Sequence, residues 1–265
     1  MTFFRNSAPI LIHVHVPRTA GTSLNQILRE SFGKRHVELY FSDPQFVLPP
    51  EELDRIVASK AGVASISSHS IRVYRPWLAG RKALYISLLR EPVDRFLSNM
   101  SFIRKHYRSL DPAHRRNCPP NAHELSVREI AAWCLARGGE LNRLGNATHF
   151  LAGAQRVHGS HVREYEASLA DFARRVLDGF FFVGLTERFE EGLRVLARRL
   201  HEHGHTLKLR PCRSNTSRDA LGDCGWVRAE DPVGKQVLDY VAVDRPLYRY
   251  ACARFSRELQ QAQDV

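Results

Sequence analysis

The stretch ILIHVHVPRTAGTSLNQIL, residues 10–28, decides how the chain is read. Residues 10–16 are rich in Ile and Val and predict a strand. Leu24, Ile27 and Leu28 then recur at helical spacing, with Gly33 placed to end the helix. Between the two lies Pro17-Arg18-Thr19-Ala20-Gly21-Thr22-Ser23. A strand that passes through a Gly-containing turn into a helix presents free backbone N–H groups and the positive end of the helix dipole, a geometry that binds phosphate. Gly21 lets the backbone approach an anion closely, the Thr and Ser hydroxyls add donors, and Arg18 supplies a fixed positive charge. A surface turn without a ligand has the same local pattern. The loop is not a Walker loop, which needs two glycines and a Lys after the second. Here there is one glycine, and the basic residue precedes it.

Outward from this stretch, strand and helix signals alternate. HVELYF (36–41), GVASIS (62–67) and ALYISLL (83–89) read as strands, and PPEELDRIVAS (49–59) and EPVDRFLSNMSFIRKHY (91–107) as helices. The alternation predicts an α/β fold with a central parallel sheet flanked by helices. The middle of the chain is mostly helical: a Ser126/Glu129 capping box opens one helix, and residues 162–177 and 186–203 form two more. GFFFVGL (179–185) is a late strand, residues 233–262 read as a helical tail, and DPAHRRNCPPNAH (111–123) as a loop. The 265 residues, 43 % hydrophobic, suffice for one large α/β domain covering residues 1–265. The 39 Lys and Arg against 28 Asp and Glu leave +11, a balance that favours polyanionic partners. Five cysteines without a CxxC pair suggest neither a disulfide framework nor a zinc knuckle, although a Cys212–Cys224 bridge stays open.

A second stretch, YISLLREPVDRFLSN (85–99), places Arg90 at the end of an apolar strand and Ser98 eight residues on, within the following helix. Ligands of doubly wound sheets sit at the carboxyl ends of strands, so both motifs could face one crevice. Arg offers a bidentate fork and Ser a short hydroxyl donor, a pair suited to a phosphate monoester. Together, HVPRTAGTS and LLREPVDRFLSN resemble the two cofactor signatures of the sulfotransferases that use 3′-phosphoadenylyl sulfate, with the carbohydrate enzymes of the heparan sulfate 2-O type nearest in pattern. NRLGNATHFLAG (142–153) and FFFVGLTERFEEGLRVL (180–196) look like later landmarks of the same family. The resemblance implies a three-layer, P-loop-like fold. It further implies that residues Arg18, Thr19, Ala20, Gly21, Thr22 and Ser23 hold the 5′-phosphosulfate, and that Arg90 and Ser98 hold the 3′-phosphate. Arg18 departs from the family's usual Lys. It keeps the charge that meets the leaving phosphate and gains a fork, but cannot give up a proton.

Sulfuryl transfer to an alcohol requires a base for the hydroxyl proton and positive groups for the charge on the leaving phosphate. No metal is expected. Thirteen histidines are available. His69, at the end of GVASISSHS, matches the family's catalytic His in its interval before Arg90. A surface His on a connecting turn is the plainer reading of the same residue. His13 and His15 are expected to pack under the loop, and HEHGH (201–205) to be a solvated helix end. The resemblance also implies a late loop closing over the nucleotide, for which RSNTSRDALG (213–222) offers Asn215, Thr216 and Arg218; an ordinary turn fits it equally. The acceptor is expected to be an anionic or neutral saccharide. The absence of a signal peptide or anchor, unlike the Golgi relatives, suggests a cytoplasmic bacterial enzyme. Competing readings are a P-loop kinase or hydrolase, which needs Mg²⁺ and a loop Lys, and a nucleic-acid-binding protein, for which no reading motif is found.

Overall fold

A computed structural model describes residues 8–41, 46–60, 62–74, 77–115, 117–137, 146–153, 162–209 and 224–263. The chain divides into two compact units, each discontinuous in sequence. Unit 1 comprises Met1–Leu89, Arg175–Ser214 and Tyr250–Val265; unit 2 comprises Arg90–Arg174 and Asn215–Arg249.

Unit 1 holds the sheet. Its strands are β1 (Ile10–Val14), β2 (His36–Leu39), β3 (Ser65–Ser68), β4 (Trp77–Leu78), β5 (Arg81–Leu89) and β6 (Phe182–Leu185). β2, β3, β1, β5 and β6 lie side by side in that order, all parallel. β4 pairs antiparallel with the start of β5 across the Ala79-Gly80 turn. β1, β3 and β6 are buried along their whole length, and β5 from Ala83 onward. Alternate side chains of a strand point to opposite faces, so uninterrupted burial means that both faces are covered. The expected α/β architecture, a parallel sheet flanked by helices, is the one observed.

From β1 the chain runs out to β2, returns through β3 to β1's flank, and crosses to β5 on the other side. The direction of travel reverses at β1. In open parallel sheets that reversal opens a crevice at the strands' carboxyl ends. The connections from β1 to β3 are α1 (Gly21–Phe32) and α2 (Pro50–Ser59). α1 buries Leu24, Ile27, Leu28 and Phe32 at the predicted spacing and ends at Gly33, whose φ of 56° only glycine adopts without cost.

In unit 2, α3 (Pro92–His106), a short helical turn α4 (Pro112–Arg115), α5 (Val127–Ala136), α6 (Ala147–Ala152), most of α7 (Val162–Asp178) and α9 (Pro232–Tyr240) follow one another. Phe96, Leu97 and Met100 of α3 pack with Ile130 and Cys134 of α5 and with Val237 and Tyr240 of α9. The Ser126/Glu129 capping box is present with both of its hydrogen bonds. α8 (Phe189–His201) and the end of α10 (Asp244–Gln263) belong to unit 1. The helical tail is thus two helices, parted by a turn at 241–243, and the loop at 111–123 contains α4. Among the described residues no helix is long and apolar enough to cross a membrane. Cys118, Cys134, Cys224 and Cys252 are free thiols, while Cys212 lies outside the described residues.

Candidate functional site

β1 ends at Val14, at the reversal point, and the chain turns at once into the Pro17–Ala20 loop. Two non-glycine residues there are left-handed: Arg18 at φ 67° and Ala20 at φ 63°. An L-residue in this region is less stable by roughly 1–2 kcal/mol, so its surroundings must hold it there. One such clamp is visible. The Thr19 hydroxyl, wholly buried, donates to the Val16 carbonyl at 2.8 Å. Thr19 therefore closes the loop from within, and the hydroxyls left to face outward are those of the exposed Thr22 and the half-buried Ser23.

Ala20 is the N-cap of α1 and has no side chain to satisfy the first turn. The Ser23 and Leu24 N–H groups donate to the Ala20 carbonyl at 3.0 and 3.2 Å. The N–H groups of Ala20, Gly21 and Thr22 find no acceptor among the described residues. Three unclaimed donors at a helix's positive end, reached through a loop with two left-handed residues, are an arrangement suited to an anion.

Beneath the cradle three imidazoles stack. His13 lies 5.0 Å from His15 between ring centroids, and His15 lies 4.0 Å from His69. His13 is fully buried. Its Nδ1 donates to the Asn25 Oδ1 of α1 at 2.7 Å, because the Asn25 amide nitrogen is itself directed to Glu38 at 3.1 Å. Burial pushes the His13 pKa down to about 4, against the pull of the Asn25 hydrogen bond. His15 is held well below the usual range by burial, with the positive ends of His13, His69 and Arg18 acting the same way. The Arg18 charge is thus felt at the floor of its own loop. As expected from the sequence, His13 and His15 pack under the loop.

His69 follows β3, the neighbour of β1, and so reaches the same sheet edge as the cradle. Its Nδ1 lies 2.6 Å from the His15 carbonyl oxygen. A carbonyl only accepts, so Nδ1 carries the proton. Burial against His15 lowers the His69 pKa; the carbonyl bond opposes that shift and the Arg72 charge reinforces it. At neutral pH the ring is uncharged, its proton is on Nδ1, and Nε2 holds a lone pair. This is the protonation state a general base needs.

Two further residues shape this region. Arg72 donates to the His69 carbonyl at 2.9 Å and stays protonated at neutral pH, although burial lowers its pKa to about 10. His15 determines why residue 21 is glycine: a Cβ there would stand 2.0 Å from His15 Cδ2 and 2.1 Å from Nε2. The HVH pattern carried that signal only once the strand's register was known.

The second motif lies in unit 2. Arg90 is the first residue after β5 and is half-buried; Ser98, on α3, is 2 % exposed. The neighbouring Arg95 faces Asp244, 3.5 Å away, and both are almost fully buried. Asp244 also accepts the N–H groups of Ala147 and Thr148 at 2.9 and 2.8 Å, which anchors the start of α6. Arg218, Asn215 and Thr216 lie outside the described residues. HEHGH departs from its expected solvation at its last residue. His205 is 5 % exposed, sets its ring edge against Phe32, and lies 2.8 Å from the Pro9 carbonyl through Nε2. A polar sequence at a helix end does not reveal that the following turn folds back onto β1.

The fold and this site define a class: a doubly wound α/β chain with an anion-competent loop at its switch point. No family profile matches the chain. Over 210 residues it is 25 % identical to an uncharacterized protein of Archaeoglobus fulgidus, covering 78 % of this chain and 79 % of that one. Among solved structures it is similar to a sulfotransferase from Alicyclobacillus acidocaldarius at 18 % identity and a TM-score of 0.40, over 92 % of this chain and 99 % of the other.

Proposed function

We propose that the chain transfers a sulfuryl group from 3′-phosphoadenylyl sulfate to an acceptor hydroxyl, on a carbohydrate. The observation that carries this reading is a neutral imidazole with a free Nε2 at the same sheet edge as an anion cradle. The donor, when bound, supplies a sulfuryl group whose departure leaves negative charge on a phosphate.

In this reading the Ala20, Gly21 and Thr22 N–H groups hold the 5′-phosphosulfate, together with the Thr22 and Ser23 hydroxyls. Arg18 meets the charge that arrives on the phosphate. Arg90 and Ser98 take the 3′-phosphate and so select the bisphosphorylated nucleotide, and Arg218 closes over it. His69 Nε2 receives the acceptor's hydroxyl proton as its oxygen bonds to sulfur, and releases it afterwards to solvent. The His15 carbonyl stabilises the transient imidazolium by keeping its bond to Nδ1–H. Arg72 opposes that charge, which speeds the proton's return.

The test joins binding and turnover. Thermal shift with 3′,5′-bisphosphoadenosine is expected to exceed that with ATP–Mg²⁺. Radiolabelled sulfate transfer, screened over glycans, lipids and phenols, is expected to show turnover on a glycan. His69→Ala should retain bisphosphoadenosine binding and lose about 10²–10⁴-fold in rate. Arg18→Ala should weaken both, and Arg18→Lys should keep most activity. An undiminished rate in His69→Ala removes the base, and a preference for ATP–Mg²⁺ replaces sulfuryl with phosphoryl transfer.

A further inference from the structure

The other end of the same sheet carries a different concentration of charge. A pocket of about 500 Å³ opens at the amino ends of β1, β3 and β5, walled by Phe32, Val63 and Ala64 and rimmed by Arg35, Arg81 and Lys208. Among the described residues no Asp or Glu lines it. Among the described residues none of these three cations forms an ion pair, whereas Arg55, Arg174, Arg188 and Arg194 each have a carboxylate one turn away. The described side chains thus leave the repulsion within the pocket uncompensated.

Arg81 is fixed in place. Its Nε and Nη2 donate to the Ala8 carbonyl at 3.0 and 2.6 Å, and its Nη1 donates to the Val63 carbonyl at 2.7 Å. A guanidinium has five N–H donors, so two remain, one on each terminal nitrogen. Both are available to the oxygens of a phosphate or carboxylate, on a side chain already held in place. His205 forms part of the same wall. Its Nε2 donates to Pro9, and burial lowers its pKa, with the Arg81 and Arg35 charges acting in the same direction after the opposing pull of the Pro9 bond. It therefore adds no positive charge at neutral pH, and its Nδ1 is left as an acceptor.

We propose that this pocket is a second anion site, which takes a small oligoanion of the phosphorylated or pyrophosphate-bearing kind and works independently of the cradle. Three cations around a volume of this size exceed what a single inorganic ion needs and fall within the range of small-molecule sites. The two sites are separated by the length of β1 and α1. At ~3.3 Å per strand residue and ~1.5 Å per helical residue, that is roughly 16–18 Å. α1 joins them, with Gly21 at the cradle and Phe32 at the pocket.

Isothermal titration with pyrophosphate, in the presence of saturating 3′,5′-bisphosphoadenosine, tests the site. The expected result is saturable binding that persists in Arg18→Ala and weakens at least tenfold in Arg35→Ala/Lys208→Ala. Both residues of that double variant are exposed, so the fold survives. Removing two charges elsewhere, in Arg55→Ala/Arg194→Ala, should leave the affinity unchanged. Equal binding in the pocket variant, equal weakening in the control, loss of binding in Arg18→Ala, or the absence of saturable binding each overturns the proposal. The pocket variant reads this site alone, so the result stands whether or not the cradle accepts the bisphosphorylated nucleotide.

Discussion

Replacing Gly21 by Ala sets two elementary effects against each other. Gly21 is the first residue of α1 and has no positive φ. On backbone grounds alone Ala should stabilise the helix, by up to about 1 kcal/mol. The added Cβ, however, falls 2.0 Å from His15 Cδ2, where ordinary contact begins at 3.4 Å. The ring must retreat by more than 1 Å and has little room to do so. Its centroid lies 4.0 Å from that of the tilted His69 ring and 5.0 Å from that of the stacked His13 ring, and its own backbone N–H is tied to the Ser68 carbonyl at 3.1 Å. Overpacking of this kind costs about 1–3 kcal/mol, which outweighs the helical gain. A net loss of roughly 1–2 kcal/mol corresponds to about 2–8 °C in Tm for a chain of this size. The assay is a double-mutant cycle by urea unfolding, on Gly21→Ala, His15→Ala and the pair. In the His15→Ala background the space is vacant, so Gly21→Ala should become neutral or stabilising, with a coupling of about 1–3 kcal/mol. If glycine served only the approach of a ligand, Gly21→Ala would lower nucleotide affinity and leave the ligand-free protein as stable as before. A stabilised Gly21→Ala with an intact His15 refutes the packing argument.

Asp244→Ala takes from unit 2 the carboxylate that Arg95 faces and the acceptor for two N–H groups of α6, all buried. A loss of about 3–5 kcal/mol is expected, readable as a fall in the urea midpoint at unchanged m-value; a loss below 1 kcal/mol would show that the contact is dispensable. Stability should also decline as pH falls from 6.5 to 4. His13 and His36 have folded pKa values of about 4 against 6.5 in the unfolded chain. In that window the unfolded chain binds protons that the native state refuses, so this contribution is complete above pH 6.5 and is lost as pH falls. For the fully buried His13 it amounts to about 3 kcal/mol. His13→Gln, followed by Tm against pH, should flatten the decline; an unchanged slope would place the titration elsewhere.

The alternation of elements was legible because the hydrophobic period changes sharply between strand and helix. β1 and α1 appear within a residue or three of their expected bounds, since Ile10 to Val14 and then Leu24, Ile27 and Leu28 each follow one period. The β4–β5 hairpin was not read. Its first strand is only Trp77 and Leu78, and its turn puts Ala79 at φ 45°, where a glycine would have announced it. The break in the helical tail is not legible in the sequence, because Val241 and Val243 continue the apolar spacing across the turn that ends α9. At the site the same divide holds. Residue types in the loop pointed to anion binding, but nothing in Arg and Ala predicts left-handed backbone, and Thr19's inward hydroxyl depends on a three-residue closure. The burial of His205, and hence the pocket at the sheet's amino end, arises from contacts with Pro9 and Phe32, far away in sequence.

In the proposed reaction the histidine column answers a difficulty that a cationic site creates for a base. His69, beside Arg72, would have to remain neutral yet accept a proton. Exposure alone would leave an imidazole near 6.5, partly charged and repelled by that arginine. Burial against His15 keeps His69 neutral, and the His15 carbonyl fixes which nitrogen carries the proton. The neighbouring imidazoles cannot take over the role. His13 is sealed beneath the sheet edge, and His15 is confined under Gly21, so both resist protonation more strongly than an exposed ring does. The column therefore directs proton uptake to the one member whose residue reaches the surface. It also couples the loop and His69 mechanically, because the ring that supports His69 is the same ring that forbids a side chain at residue 21. If the proposed function holds, any substitution that moves His15 should disturb nucleotide affinity and the acid limb of the rate profile together, whereas a change to Thr22 or Ser23 should move affinity alone.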